Sequence, residues 1–158
     1  VRGLDPYYPA YYEGRTEIEG IRDYFESILD NVTLIDDFDV YGHLDYVVRY
    51  CPSGEKIFRM SDYKEVFEQI FKKIIPKGKG IEINTGSLYK NMSYAHPHMD
   101  ILKLYKDMGG EIITVGSDAH KPEYLCYDFE TYARDALTSL GYRYYCTFKN
   151  RKPEFNPL

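Results

Sequence analysis

Ile112-Ile113-Thr114-Val115-Gly116-Ser117-Asp118-Ala119-His120 joins a run of β-branched residues to a polar exit. It reads as a buried strand that delivers a carboxylate and an imidazole at its carboxyl end. The stretch before it predicts a helix over about 99–108, with Ile101, Leu102, Leu104, Tyr105 and Met108 on one stripe and Gly109-Gly110 as its stop. Further upstream, Ile81-Glu82-Ile83-Asn84-Thr85 repeats the pattern as a strand. It follows a helix over about 62–75 that carries Val66, Phe67, Ile70, Phe71, Ile74 and Ile75, ended by Pro76 and Gly78. Another such unit opens with the capping box Thr16-Glu17-Ile18-Glu19 and a helix over about 16–31, then the alternating stretch Phe38 to Leu44. Downstream, Asp128 is the expected N-cap of a helix over about 129–140. Tyr142 to Phe148 reads as a last strand, and the Pro-bearing tail Arg151 to Leu158 reads as irregular. Strand starts near 38, 81, 112 and 142 are spaced by roughly 30 to 43 residues, the length of a βα unit in parallel α/β architecture. A doubly wound sheet and a barrel both fit this pattern; a full eight-unit barrel needs about 250 residues. No repeat, low-complexity tract or linker divides the 158 residues into two domains.

Composition narrows the function classes. At 44% hydrophobic and 28% charged residues, the chain has the makeup of a folded globular protein. No apolar run approaches the ~20 residues of a membrane helix, so no membrane role is expected. Twenty basic residues against 25 acidic ones give a net charge of −5, and no Lys/Arg cluster offers the phosphate contacts that dominate nucleic-acid affinity. Cys51, Cys126 and Cys146 form an odd, widely spaced set without a C-x-x-C pair, which points to a reduced, cytoplasmic protein. The chain also begins at Val1 without an apolar signal region.

Three consecutive strands end in residues awkward to bury: Asp39, His43 and Asp45; then Glu82 and Asn84; then Ser117, Asp118 and His120. In parallel α/β folds the strands' carboxyl ends form the functional rim, so this is a constellation. Carboxylate and imidazole together suit zinc, manganese or iron, and bridged ions of this kind activate water and clamp phosphoryl oxygens. Alternatively, Asp118 caps the following turn while His120 is solvated. Gly42-His43-Leu44-Asp45 draws its weight from agreement with the third strand. Arg49 can pair with Asp45, or its guanidinium fork can meet a substrate phosphate. His96-Pro97-His98 lies in a loop before a helix and is expected to be a surface or capping feature. The cysteines have no His partner at a recognisable spacing, so no thiol catalysis is expected. Serine-hydrolase, P-loop and dinucleotide-binding motifs are absent.

Phe38-Asp39-Val40-Tyr41-Gly42-His43-Leu44-Asp45-Tyr46 with Arg49-Tyr50, then Glu82-Ile83-Asn84-Thr85, then Thr114 to His120 resemble the polymerase-and-histidinol-phosphatase (PHP) superfamily, in its histidinol-phosphatase branch. Gly3-Leu4-Asp5-Pro6-Tyr7-Tyr8 and Arg151-Lys152-Pro153 extend the likeness over nearly the whole chain. The resemblance implies a distorted seven-stranded β/α barrel with a trinuclear metal centre that hydrolyses a small-molecule phosphate ester. In that branch the ester is L-histidinol phosphate, in histidine biosynthesis. By motif, His43, Asp118 and His120 correspond to metal ligands, Asp118 also to a catalytic residue, and Arg49 and Asn84 to substrate-binding residues.

Two departures from the family pattern matter. Relatives often carry a second arginine after the Glu-Ile-Asn-Thr strand, where this chain has Tyr89-Lys90, so Lys90 is expected to stand in as a point charge. The family's N-terminal H-x-H motif, two further histidines and a bridging Glu have no counterpart. The sequence therefore reads as residues 1–158 of a C-terminal portion of one PHP-like metal-dependent phosphoesterase domain, with too few ligands of its own for three ions. Its exposed sheet edges would favour self-association. Two other readings stand beside histidinol-phosphate hydrolysis: a PHP-type phosphoesterase for another small phosphate or nucleic-acid ends, and a non-catalytic fragment or interaction module.

Overall fold

Thr16 opens the first long helix, α1 (Glu17–Leu34), through a complete capping box. The Thr16 hydroxyl accepts from the Glu19 N–H, and the Glu19 carboxylate accepts from the Thr16 N–H at 2.7 Å. Two orphan donors of the first turn are thereby satisfied. After it come β1 (Val40–Tyr41), the single turn α2 (Tyr46–Arg49), α3 (Met60–Ile74), β2 (Gly80–Asn84), α4 (Met99–Asp107) and β3 (Ile113–Gly116). The chain ends with α5 (Arg134–Ser139), β4 (Tyr144–Lys149) and β5 (Lys152–Pro157). The computed structural model describes residues 1 and 3–158. Among them no helix is long and apolar enough to cross a membrane.

The three central strands form one parallel sheet in the order β1-β2-β3, with Tyr41 opposite Ile81 and Ile81 opposite Ile113. Because the pairing is parallel, all three carboxyl ends lie on one side, as the rim argument requires. Side chains alternate across a strand, so Ile81 and Ile83 enter the core while Glu82 projects from the other face. Ile81, Ile83 and Ile113 are fully buried with Phe25, Phe67, Phe71 and Tyr105. The α1–α3 contact is aromatic: Phe25 lies 4.7 Å from Phe67 and 5.0 Å from Tyr63, centroid to centroid. These rings and aliphatic side chains supply most of the apolar burial that holds the helices on the sheet.

Several expectations need correction. The first strand shrinks to Val40–Tyr41, because the backbone turns left-handed at His43 (φ 55°) and cannot continue a ladder. The strand expected near 142 is not a fourth parallel strand. It pairs antiparallel with the tail, Cys146 opposite Phe155, in a separate two-stranded sheet. The tail is therefore β5 and not irregular; its prolines lack donors but are accommodated on an edge strand. The expected helix over 129–140 divides into a π-helical turn (Phe129–Ala133) and α5. Asp128, at φ 50°, does not cap it by side chain; its Oδ1 accepts from the Thr131 hydroxyl instead.

Candidate functional site

β1 and β3 each lead into a residue with left-handed backbone, His43 (φ 55°) and Asp118 (φ 50°). Such a conformation costs a non-glycine residue roughly 1–2 kcal/mol, and it redirects the side chain away from the strand it follows. Both residues line one pocket of about 400 Å³, together with Arg49 of α2, Lys90, His120, Tyr46 and Tyr50. The structure thus brings together five of the six residues to which the family resemblance gives a metal or substrate role, all but Asn84.

Within the pocket, Lys90 Nζ donates to Asp118 Oδ2 at 2.9 Å. Burial works against the charged Asp118 carboxylate. The Lys90 bond and charge outweigh it, aided by His120 and His43, so the carboxyl lies below the usual range. The stability this contributes is present above the ordinary carboxylate pKa and is lost as pH falls through the lowered one. Lys90→Met is expected to raise the Asp118 pKa, read from the side-chain carboxyl carbon in an NMR pH titration. An unmoved midpoint would show that Lys90 is not the cause.

His120 is exposed, and its Nδ1 lies 2.8 Å from the Asp118 carbonyl oxygen. A carbonyl only accepts, so this contact places the proton of a neutral His120 on Nδ1 and leaves Nε2 with its lone pair free. His43 Nδ1 is buried without a hydrogen-bond partner. The guanidinium of Arg49 lies over the Tyr50 ring, 4.9 Å from its centroid. Arg49 has no carboxylate partner among the described residues. The Asp45 alternative fails because that carboxylate is engaged elsewhere.

Asn84 stands apart from the pocket. It is buried, its Oδ1 accepts from the Gly86 N–H at 2.9 Å, and its Nδ2 donates to Glu82. It shapes the turn after β2. Gly86 there lies so close to the Asp118 loop that an added Cβ would come 2.8 Å from the Ser117 carbonyl oxygen. Glu82 projects over the sheet toward β3, where a Cβ on Gly116 would come 2.5 Å from its Oε1.

Sequence reasoning missed one ionisable pair. His96 is not a surface feature; it is 2% exposed, and its Nδ1 lies 2.6 Å from Oδ1 of the fully buried Asp45. The other oxygen, Oδ2, accepts from the His98 N–H at 2.9 Å. The loop before α4 is thereby fastened to the start of α2, which carries Arg49. His98 does cap α4, accepting from the Asp100 N–H. No local pattern marks the pair of Asp45 and His96, because its members lie 51 residues apart and meet only in the folded chain.

Two imidazoles and a carboxylate are the donor chemistry of zinc, manganese or iron sites, and the unpartnered His43 nitrogen fits that use. No three His, Cys, Asp or Glu side chains among the described residues converge closely enough to hold an ion by themselves. The cysteines are elsewhere. Burial and the neighbouring Glu17 push the Cys51 thiol up to about 12, while Cys126 is exposed. Iodoacetamide at pH 8 is expected to label Cys126 and spare Cys51 and Cys146; rapid labelling of Cys51 in the folded protein would contradict this.

The fold and site together define a parallel α/β domain with imidazole, carboxylate, guanidinium and ammonium groups gathered at one pocket. Residues 3–86 match the family model of the PHP domain. The chain belongs to the PHP-domain family. It is 30% identical over 148 residues to a histidinol-phosphatase of Lactococcus lactis subsp. lactis, covering 92% of this chain and 54% of that protein. A probable histidinol-phosphatase of Thermotoga maritima is 31% identical over 134 residues, covering 85% of this chain and 54% of that one. A crystal structure of the L. lactis histidinol phosphate phosphatase, complexed with zinc, L-histidinol and phosphate, superimposes with a TM-score of 0.80 at 29% identity. That match covers 98% of this chain and 58% of the other. The chain spans about half the length of the curated relatives it matches.

Proposed function

We propose that the chain is the C-terminal part of a distorted β/α barrel in a cytoplasmic, metal-dependent phosphomonoesterase of histidine biosynthesis, which converts L-histidinol phosphate to L-histidinol and phosphate. The observation that carries this reading is the convergence of His43, Asp118 and His120 with Arg49 and Lys90 on one pocket. The similarity to proteins named histidinol-phosphatase, one of them bound to zinc, L-histidinol and phosphate, supports the same substrate and metal.

His43, Asp118 and His120 would hold divalent cations. Bound there, zinc, manganese or iron ions activate water and neutralise charge on phosphoryl oxygens. Arg49 binds the phosphate through its planar fork, the geometry that matches two phosphate oxygens at once. Lys90, held to Asp118 at 2.9 Å, adds a point charge in the same pocket. Asp118 Oδ1, the oxygen not engaged by Lys90, accepts the proton of the attacking water. The phosphorus–oxygen bond to the alcohol then breaks as its oxygen takes up the proton that Asp118 accepted, so L-histidinol and phosphate leave and the carboxylate is restored. Asn84 acts on substrate through the turn it shapes.

The test is phosphate release from L-histidinol phosphate, before and after chelation and after zinc is restored. Release that is lost on chelation and returns with zinc supports the reading; release indifferent to chelation overturns it. A second reading, a non-catalytic module, is favoured by the lack of three converging ligands among the described residues. It predicts no release at any zinc concentration.

A further inference from the structure

The two left-handed residues of the site share a feature that neither sequence motif contains. Each offers its backbone carbonyl to a tyrosine hydroxyl from a different element. Tyr24, on α1, donates to the His43 carbonyl oxygen at 2.8 Å. Tyr89, in the 3-10 turn after β2, donates to the Asp118 carbonyl oxygen at 2.7 Å and to that of Ser117 at 3.0 Å. We propose that Tyr24 and Tyr89 are positioning residues, a pair of phenol clamps that hold the left-handed backbone at His43 and Asp118 and so aim both side chains into the shared pocket. The proposal rests on reading those side chains as cation ligands.

Both phenols are themselves held in place. Tyr24 is largely buried, which raises its hydroxyl pKa and keeps the proton needed for donation. Its ring meets Phe25 edge-on at 5.9 Å, on the helix whose other residues build the core. The Tyr89 ring stacks on Tyr124 at 4.1 Å with 8° between the planes, and Tyr127 meets it edge-on at 5.4 Å. Tyr124 follows His120 in the same loop. Tyr89 therefore grips that loop on both sides of His120, by its hydroxyl at residues 117 and 118 and by its ring at 124. Each phenol's single proton is committed to backbone carbonyls, so neither tyrosine is free to donate to substrate. Tyr89 lies next to Lys90, the residue expected to stand in for a family arginine, so the two neighbours divide the work: Tyr89 holds the backbone at Asp118 and Lys90 pairs with its carboxylate.

Left-handed backbone is unfavourable for a residue with a Cβ and persists only where surrounding contacts over-determine it. Removing one hydroxyl while keeping the ring isolates that contact. Partners that orient a ligand from behind typically change metal affinity by 10–100-fold. Tyr24→Phe and Tyr89→Phe are each expected to weaken zinc binding about 10-fold, measured by calorimetry on the full chain. The double variant should be weaker by roughly the product of the two, since the clamps act at separate residues. In parallel, amide hydrogen exchange should quicken at residues 43–45 in the first variant and 117–120 in the second, with the rest of the chain unchanged.

A merely structural role would shift the thermal midpoint and exchange across the core while leaving zinc affinity at the wild-type value. That outcome overturns the clamps, as does wild-type exchange at both segments. Wild-type protein that takes up no zinc would overturn the metal reading of the site. The exchange measurement would still show whether the two phenols hold the backbone at His43 and Asp118.

Discussion

Replacing Asp45 with alanine is expected to destabilise the fold by about 3–5 kcal/mol, because two donors, one of them buried, lose their acceptor at once. The carboxylate is fully buried and accepts from His96 Nδ1 and from the His98 backbone N–H. Each donor left unsatisfied in the interior costs about 1–3 kcal/mol, in full for the buried His96 ring and less for the part-buried His98 N–H. The effect should be read as a fall in the urea midpoint with the slope unchanged. Asp45→Asn keeps the volume and one acceptor, so it should lose less than the alanine variant. A change within about 0.5 kcal/mol, the range of ordinary surface substitutions, would show that the pair does not hold the loop. The consequence for the pocket follows from position: Asp45 begins the turn that carries Arg49, so a protein that folds without it should present that guanidinium less firmly.

The second large effect falls on turnover. Arg49→Ala is expected to lower kcat/KM for L-histidinol phosphate by about 10²–10³-fold, the usual loss when a group aimed at developing charge is removed. Arg49 has no carboxylate partner among the described residues, and its one clear contact is the face of Tyr50. The loss should therefore appear in phosphate recognition with little change in stability. Arg49→Lys should recover only part, since an ammonium cannot form the bidentate fork. Inhibition by inorganic phosphate should weaken in step. Phosphate affinity unchanged by Arg49→Ala would remove the residue from the site.

Local physics made much of the fold legible. Thr16 and Glu19 announce α1 because a capping box is a short-range code. The stripe from Val66 to Ile75 announces α3 because a buried helix face repeats every 3.6 residues. The polar strand ends of β1 and β3 pointed to the pocket because polar groups beside apolar strands are hard to bury. What escaped was non-local or conformational. Asp45 and His96 are 51 residues apart, and no periodicity links two side chains that meet only when the sheet forms. The left-handed backbone at His43 and Asp118 is only weakly marked in residue type, since Asp and His enter that region more often than other side chains, and the tyrosine hydroxyls that hold it leave no mark at all. In β5, Pro153 and Pro157 read as breakers because the sequence does not say which edge of a ladder goes unpaired.

The central claim is that His43, Asp118 and His120 each contribute to the binding of divalent cations at one pocket. It is tested most directly by titrating cobalt(II), a spectroscopic substitute for zinc, into the chain and into His43→Ala, Asp118→Asn and His120→Ala. Visible absorption that saturates with the wild-type chain and is weakened or displaced in each variant is the predicted result. Spectra that the three substitutions leave unchanged would contradict it.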